Sequence, residues 1–405
     1  MRKRIEEIAD VWRKEFEMVM RDQGVLIFFL LVPLLYPILY AWIYNNEVVR
    51  EVPVAVVDDS RSHVSRSFIR QCDATPDVRV VARPSSMAEA QQMMSRGEVR
   101  GIYVIPADFS SRLYRGEPAT VRVYCDMGVM LYYKAIFQTA TNVAMSMGRQ
   151  VAPPPLIIDE VAMFNPSGGY GNFILPGVLM LILQQTLVLG IGMSAGTSRE
   201  RNSYGFLVPY SRRGKVGNLM IGKVVCYLMI YMVLGVYLTV LIPRLFHFVQ
   251  LVSIGTLLLL LLPYILASIF FGLTVSCLVR YRENVMLLVV FFSVPLLFIS
   301  GVSWPQSNIP AFWQSVAWLF PSTFGIRAFV RANSMGATLS DMTVEYVALW
   351  VQVVVYGCLA YGVYRFQSVM AHSYVLERLM AIKRKREVRR RFKARRQRSR
   401  SQEYQ

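Results

Sequence analysis

The chain has 405 residues, of which 54% are hydrophobic and only 17% are charged. Soluble domains usually carry about 25% charged residues, so this composition excludes a single soluble fold as well as a disordered chain. The formal net charge of +18 would by itself suggest nucleic-acid binding, and its meaning depends on where the basic residues lie.

An amphipathic pattern marks residues 1–23. Apolar residues recur there at spacings of three and four, at Ile5, Ile8, Trp12, Phe16 and Val19. This spacing predicts a helix that lies at the membrane interface. The helix either anchors the chain at the membrane or acts as a lever that touches a cytoplasmic partner.

Six segments meet or approach the length needed to cross a membrane. A bilayer core about 30 Å thick requires about 20 apolar residues in a helix. Segments without Lys, Arg, Asp or Glu occur at residues 24–44, 173–195, 224–242, 251–279, 285–302 and 346–364. They predict an α-helical polytopic membrane protein with six transmembrane helices, the first at 24–44 and the other five within 172–366.

Residues 45–171 interrupt the hydrophobic pattern and predict an inserted α/β domain. Four short runs of strand character alternate there with helical runs. We interpret Asp58 and Asp59 as a strand-end turn and a helix N-cap rather than as a catalytic carboxylate pair. Cys72 and Cys125 either form a disulfide or remain free thiols, and the sequence leaves both possibilities open.

The distribution of basic residues predicts the orientation. Residues 1–23, 196–223, 280–284 and 365–405 hold 28 of the 44 Lys and Arg residues. The short loops of the opposite side hold only Arg244, Arg327 and Arg331, and the 13 bases of the inserted domain are balanced by 13 acids. By the positive-inside rule, both termini are cytoplasmic and the α/β domain is extracytoplasmic.

The net charge therefore indicates the orientation of the chain in the membrane and not a nucleic-acid partner. The tail, residues 367–405, carries 13 bases and 3 acids and follows the last membrane segment directly. Anionic lipid of the inner leaflet attracts such a segment. No aromatic or groove-reading motif accompanies it, so we expect a lipid contact and no nucleic acid.

One motif in the loop at 196–223 mimics a nucleotide site. Gly217, Gly222 and Lys223 have the spacing of a phosphate-binding loop. Val224 stands where a magnesium-holding Ser or Thr is required, and no strand precedes the motif. We therefore expect no cofactor or metal on this chain and no enzymatic activity of its own.

Two further features concern a transport path. Residues 301–330 are rich in prolines and tryptophans and are too broken to span the membrane, which predicts a half-inserted hairpin on the outer side. Gln184 and Gln185 lie in the middle of the second apolar segment. They either line a path or hydrogen-bond neighbouring helices.

These pieces, in this order, resemble the permease subunits of type-2 ATP-binding-cassette (ABC) exporters, in the subgroup with a large extracytoplasmic domain between the first and second transmembrane helices. The resemblance covers residues from about 10 to 370. Its motifs are Arg13-Lys14-Glu15, Arg21-Asp22, Pro33, Glu200-Arg201-Asn202 where the family usually has Glu-Arg-Gly, Gly222-Lys223, and the hairpin residues Gly301, Pro305, Pro310 and Pro321.

The resemblance implies a half-transporter in the bacterial inner membrane. It would pair with a second permease chain, identical or paralogous, and with a separate ABC ATPase subunit that carries ATP and magnesium. A periplasmic adaptor protein is a further partner it allows, and the implied substrates are hydrophobic or amphiphilic, such as drug-like molecules or lipids. The residues it assigns to ATPase coupling are Arg199, Glu200, Arg201, Arg212, Arg213 and Lys215.

A different class of protein is the alternative. A membrane sensor or receptor could use the extracytoplasmic domain to bind a ligand. Such a chain usually needs only one or two spans and a cytoplasmic output domain, whereas the longest cytoplasmic piece here is the basic tail.

Overall fold

The computed structural model describes residues 2–44, 49–125, 130–151, 170–202, 207, 215–279, 281–304 and 306–370. The chain divides into two compact units, one formed by Met1–Asn45 with Gly171–Gln405 and the other by Asn46–Tyr170. The first unit is a helical bundle and the second is a small α/β domain. The predicted basic tail lies outside the described residues from residue 371 onward.

Six helices in the described part of the chain are long and apolar enough to cross a membrane. We name them the first to the sixth span, in chain order: Gln23–Tyr44, Ile174–Glu200, Lys215–Leu245, Ile254–Leu278, Arg282–Ile299 and Thr343–Met370. They confirm the predicted six-helix membrane protein. The third span begins earlier than the predicted segment, because helical hydrogen bonding continues through polar residues that an apolar count excludes.

A separate helix, α1 (Arg2–Arg21), precedes the first span. The two helices are divided at Asp22, whose backbone is extended. The Asp22 carboxylate accepts hydrogen bonds from the backbone N–H groups of Gly24 and Val25, at 3.1 and 3.3 Å. Asp22 is therefore the N-cap of the first span, and the chain can change direction there.

The inserted domain is built on a four-stranded sheet, which confirms the predicted α/β domain. Its strands are β1 (Val52–Asp58), β2 (Val78–Ala82), β3 (Gly101–Ile105) and β4 (Arg122–Cys125). They lie in the order β2-β1-β3-β4, with β1 parallel to β2 and β3, and β4 antiparallel to β3. The helices are α2 (His63–Asp73), α3 (Met87–Ser95), α4 (Phe109–Tyr114) and α5 (Met130–Val151).

Helices cover both faces of this sheet. Successive strand residues point to opposite faces. Val54 of β1 is buried in a cluster with Phe68 of α2, and its neighbour Ala55 is buried in a cluster with Ala90 of α3. The apolar residues of β1 are therefore buried on both sides, as expected for a central parallel strand.

The Asp58–Asp59 pair closes β1. The Asp58 carboxylate accepts hydrogen bonds from the backbone N–H of Arg61 at 3.0 Å and from Ser65 Oγ at 2.8 Å. The backbone N–H of Asp59 donates to the carbonyl of Ile105 at 3.0 Å. These contacts fix a turn and a sheet edge, which supports the predicted strand-end turn. The predicted N-cap role is wrong, because Ser62 is the N-cap of α2 and its side chain accepts a hydrogen bond from the backbone N–H of Ser65.

Cys72 and Cys125 are both free thiols, and this allows a direct test of the domain core. Burial raises the pKa of the Cys72 thiol to about 12, and Asp73 beside it adds to the effect. Since the thiolate is the reactive form, we expect iodoacetamide at pH 8 to modify Cys72 roughly a thousandfold more slowly than a thiol of ordinary pKa. Mass spectrometry of the folded protein measures the rate, and denatured protein provides the control. A disulfide-linked peptide containing Cys72 and Cys125 would contradict this expectation.

The second span lies at the centre of the bundle. Its most apolar window is 94% buried, whereas those of the fifth and sixth spans are each 17% buried. A Cβ atom at Gly190 of the second span would overlap the ring of Phe29 in the first span. Small residues of this kind let membrane helices approach closely and pack.

The chain turns back after the fifth span. Gly301 has a φ of +91°, a left-handed conformation that favours glycine. A 3₁₀ turn at Gln306–Asn308 and two α-helices, α6 (Ala311–Ala317) and α7 (Pro321–Met335), are described before the sixth span, and α7 is largely buried.

Candidate functional site

Charged residues from α1 and from several spans lie at one end of the bundle. The Asp22 carboxylate at the start of the first span and the backbone N–H of Arg282 at the start of the fifth span contact the end of the second span. The end of the second span in turn contacts the ends of the fourth and sixth spans. α1 lies against the start of the third span. We call this region the α1 end of the bundle.

α1 packs tightly on the third span at Gly222. A Cβ atom at this position would lie 2.7 Å from Val11 Cβ and 2.9 Å from the carbonyl oxygen of Ile8. Such distances leave no room for a side chain, so glycine allows the backbone of α1 to approach the third span. Gly222 thus has a packing role at this contact.

Glu15 is the charged residue at the centre of this contact. It is 3% exposed, and its carboxylate accepts a hydrogen bond from Lys223 Nζ at 2.7 Å. The Tyr227 hydroxyl also donates to it, and Ser194 Oγ of the second span lies 3.4 Å away. One carboxylate on α1 therefore joins two spans, and burial of both charges makes the ion pair costly to break.

Asp22 and Glu200 form a second cluster beside the first. The Asp22 carboxylate accepts a hydrogen bond from Thr197 Oγ1 at 3.0 Å and lies 4.0 Å from the guanidinium of Arg282. Glu200 accepts the backbone N–H of Arg282 at 3.1 Å, so it stabilises the first turn of the fifth span. An open cleft of about 510 Å³ runs between these residues. We call it the polar cleft.

Arg199 has turned inward. It is 6% exposed, and its Nη1 donates to the carbonyl oxygens of Ser276, at 2.5 Å, and Val279. Its Nη2 donates to Gln367 Oε1 at 3.3 Å. A cation near the last carbonyls of a helix is favourable, because these carbonyls lack partners within the helix. Arg199 therefore ties the second span to the ends of the fourth and sixth spans.

Lys215 lies at the outer edge of the α1 contact. Its Nζ is 3.0 Å from Glu7 Oε1, and Asn218 Nδ2 donates to Glu7 Oε2 at 2.9 Å. These two hydrogen bonds, with the Lys215 charge, lower the pKa of the Glu7 carboxyl. The pair is solvent-exposed, so it guides the register of α1 more than it stabilises the fold.

The predicted coupling residues are thus dispersed over different surroundings. Arg199 is internal, Glu200 borders the polar cleft, and Lys215, at the start of the third span, pairs with Glu7 of α1. The Arg201 side chain, Arg212 and Arg213 lie outside the described residues. The prediction treated residues 196–223 as a loop, whereas the helix of the second span continues to Asn202 and the third span already begins at Lys215.

Four residues of this region carried no predicted site role: Glu15, Asp22, Lys223 and Arg282. The first three were noted only as parts of motifs. A signal was present on α1: Glu15 falls between Val11 and Val19 at every fourth position, and these three residues form the buried stripe. An acidic residue at the centre of an apolar helical stripe predicts a buried partner.

At the opposite end, α7 is held by polar contacts to its neighbours. Arg327 Nε donates to the carbonyl of Ser300 at 2.9 Å. Arg331 Nη1 lies 3.0 Å from Glu345 Oε1 of the sixth span. Irregular backbone at membrane depth requires such enclosure by protein.

The four predicted hairpin residues have separate roles. Gly301 forms the turn, Pro310 precedes α6, Pro321 opens α7, and Pro305 lies outside the described residues. Proline is favoured at the first position of a helix, because no intrahelical N–H donor is needed there.

The two glutamines of the second span differ. Gln184 is 1% exposed and lies 3.5 Å from Ser268 Oγ of the fourth span. Gln185 is half-buried, and its Nε2 has no hydrogen-bond partner among the residues that the structure describes. Of the two predicted roles, the position of Gln184 favours a hydrogen bond between helices over lining a path. Gln185 has an unsatisfied hydrogen-bond donor among the described residues.

Comparison with known proteins adds a family match. Residues 24–361 match the family described as ABC-2 family transporter protein. The chain is 23% identical over 337 residues to the probable multidrug ABC transporter permease YbhS of Escherichia coli (strain K12), covering 77% of this chain and 84% of YbhS. It is 22% identical over 376 residues to the probable multidrug ABC transporter permease YbhR of the same organism, covering 87% of this chain and 96% of YbhR.

Proposed function

Because the chain belongs to the ABC-2 transporter family, we propose that it is the permease subunit of an exporter driven by a separate ATPase subunit. The family implies a transport role and a partner ATPase. The names of YbhS and YbhR support a hydrophobic or amphiphilic substrate, such as a drug-like molecule or a lipid. The α1 end carries the proposal, because it joins an open charged surface to the ends of the spans.

The ATPase docks, in this proposal, on α1 and the polar cleft. The cleft presents acidic and basic groups together, from Asp22, Glu200 and Arg282. Mixed charges of this kind favour a partner of complementary pattern and fix its orientation. Lys215 and Glu7 extend the surface along α1, and Arg199 passes a displacement of the second span on to the fourth and sixth spans.

The orientation follows from the basic residues. Residues 1–23, 196–223, 280–284 and 365–405, which the proposal assigns to the α1 side of the membrane, carry most of the Lys and Arg of the chain outside the inserted domain. The positive-inside rule places this end in the cytoplasm, where ATP is available, together with both termini. The inserted domain then lies outside the bacterial inner membrane and is where an adaptor would bind. The basic tail contacts anionic lipid.

Two permease chains complete the transporter in this proposal. The fifth and sixth spans expose most of their apolar surface, which a second copy and lipid cover. Closure of the ATPase on ATP shifts the equilibrium between two arrangements of the spans. Substrate then leaves past the hairpin that contains Gly301 and Pro321.

Charge reversal in the polar cleft tests the docking surface. We expect Glu200→Arg with Arg282→Glu to lower the affinity for the ATPase about tenfold, because one or two complementary contacts become repulsive. The measurement is co-purification from membranes that contain both subunits, followed by titration of the isolated subunits. Glu117→Arg, an exposed charge in the inserted domain, is the matched control.

The outcome also separates the exporter from a receptor. A chain that purifies without any ATPase would contradict the exporter and favour the ligand-binding sensor. Unchanged affinity in the charge-reversed variant, with intact folding, would remove the polar cleft from the docking surface while leaving the exporter assignment in place.

A further inference from the structure

Two features of α1 have opposite mechanical effects. The extended backbone at Asp22 allows α1 to pivot on the first span. The Glu15 carboxylate, almost two helical turns earlier, holds α1 against the third span. Whether α1 swings freely or carries the spans with it therefore depends on the strength of the contact at Glu15.

The ion pairs of α1 differ sharply in burial. Arg2 with Glu6 is an exposed pair within the helix, and Lys215 with Glu7 is solvent-exposed. Exposed pairs contribute little to stability. Glu15 with Lys223 is the buried pair: the two residues are 3% and 6% exposed, and the charged atoms are 2.7 Å apart. Separating them would leave two uncompensated charges in a low-dielectric interior.

The packing around this pair restricts sliding as well. Val11 and Ile8 of α1 lie directly over Gly222, next to Lys223 in the chain. Tyr227 and Ser194 hold the same Glu15 oxygen, Oε1, from the third and second spans. A displacement of α1 along the third span would break all of these contacts together.

We propose that Glu15 is a positioning residue that makes α1 and the second and third spans move as one body, so that a push on α1 becomes a displacement of the spans. The proposal rests on the proposed function, in which a partner ATPase supplies the push. It assigns the transmission of force to a buried pair, Glu15 with Lys223, that lies behind the docking surface. The partner does not need to touch either residue.

Distance measurements by pulsed electron paramagnetic resonance test whether the Glu15–Lys223 pair holds α1 on the third span. Spin labels are placed at Ala9→Cys, on the exposed face of α1, and at Leu245→Cys, at the far end of the third span. The exposed Cys358 and the partly buried Cys125 are replaced by serine to avoid further labels. Labelled permease is mixed with an excess of unlabelled permease, so that a dimer contains at most one labelled chain, and is measured in lipid nanodiscs, alone and with its ATPase, before and after trapping with ATP and vanadate.

Three variants distinguish loss of the Glu15–Lys223 contact from a general loss of stability. Wild type and Glu6→Gln, an exposed acid on the same helix, should give one narrow distance that trapping does not change. Glu15→Gln should broaden the distribution at least twofold without nucleotide and shift it on trapping. The double variant Glu15→Gln with Lys223→Met leaves no unpaired charge, so it should fold well and still show the broad, shifting distance.

A narrow, unshifted distance in the double variant would overturn the proposal. The nucleotide-free samples test the contact between α1 and the third span without any ATPase. They therefore test the proposal even if no ATPase subunit binds. Failure of the proposed function would appear instead as the absence of a co-purifying ATPase, with the broadening in the Glu15 variants intact.

Discussion

Replacing Lys223 with methionine is expected to destabilise the protein by about 3–5 kcal/mol, because the Glu15 carboxylate would stay buried without its cationic partner. The Tyr227 hydroxyl and Ser194 Oγ would remain as its donors, and neither carries a charge. Methionine approximates the length of the lysine stem, so the expected loss arises from the charge and not from a cavity. Unfolding of the purified protein in detergent, followed by tryptophan fluorescence, measures the change in the free energy of unfolding.

Two controls identify the origin of this loss. Lys14→Met removes an exposed lysine of α1 and should change the free energy of unfolding by less than about 0.5 kcal/mol. Adding Glu15→Gln to Lys223→Met removes the unpaired charge and should recover most of the lost stability, since the two residues act as one unit. Equal stability of Lys223→Met and Lys14→Met would show that the pair is hydrated and not buried.

The second large effect is expected at Gly325, where α7 meets the fourth span. A Cβ atom there would overlap the ring of Tyr264, which is fully buried and whose hydroxyl donates to the carbonyl of Met180 at 2.6 Å. The ring cannot move away without breaking that hydrogen bond. Gly325→Ala should therefore destabilise the protein by about 1–3 kcal/mol, the usual cost of overpacking. Thermal unfolding in detergent provides the comparison with wild type.

Gly362→Ala is the matched control for this substitution. Gly362 lies in the sixth span, and a Cβ atom there would meet no atom within 4 Å. Alanine is favoured over glycine inside a helix, so this variant should be as stable as wild type or slightly more stable. In a Tyr264→Ala background the ring is absent, and the additional cost of Gly325→Ala should largely disappear. An undiminished cost in that background would place its origin elsewhere.

The elements of the fold follow from local patterns in the sequence. The choice of the buried face of α1 shows the limit of such patterns. The spans and the strands of the inserted domain were predictable, because length and apolar runs depend on neighbours in the chain. On α1, however, the predicted apolar face included Ile5, which is 64% exposed, and missed Glu15. The buried face is set by Gly222 and Lys223 on another helix.

The site was less predictable than the fold, for a reason that Arg199 illustrates. Basic residues at the end of a span satisfy the positive-inside rule whether they face a partner or the chain itself. Only the positions of the Ser276 and Val279 carbonyls show that Arg199 faces inward. Glu15 and Lys223 are 208 positions apart, so their pairing depends on tertiary structure that no local spacing encodes.

The burial of the second span bears on the transport path of the proposed exporter. Its apolar window is 94% buried among the described residues, so this helix has little surface left for lipid or for a second chain. The fifth and sixth spans expose most of theirs, and we expect substrate to cross along them, at a boundary shared with lipid or with the second permease chain. On such a route, part of the wall belongs to something other than this polypeptide, and specificity would be set by that boundary as much as by any single residue of this chain.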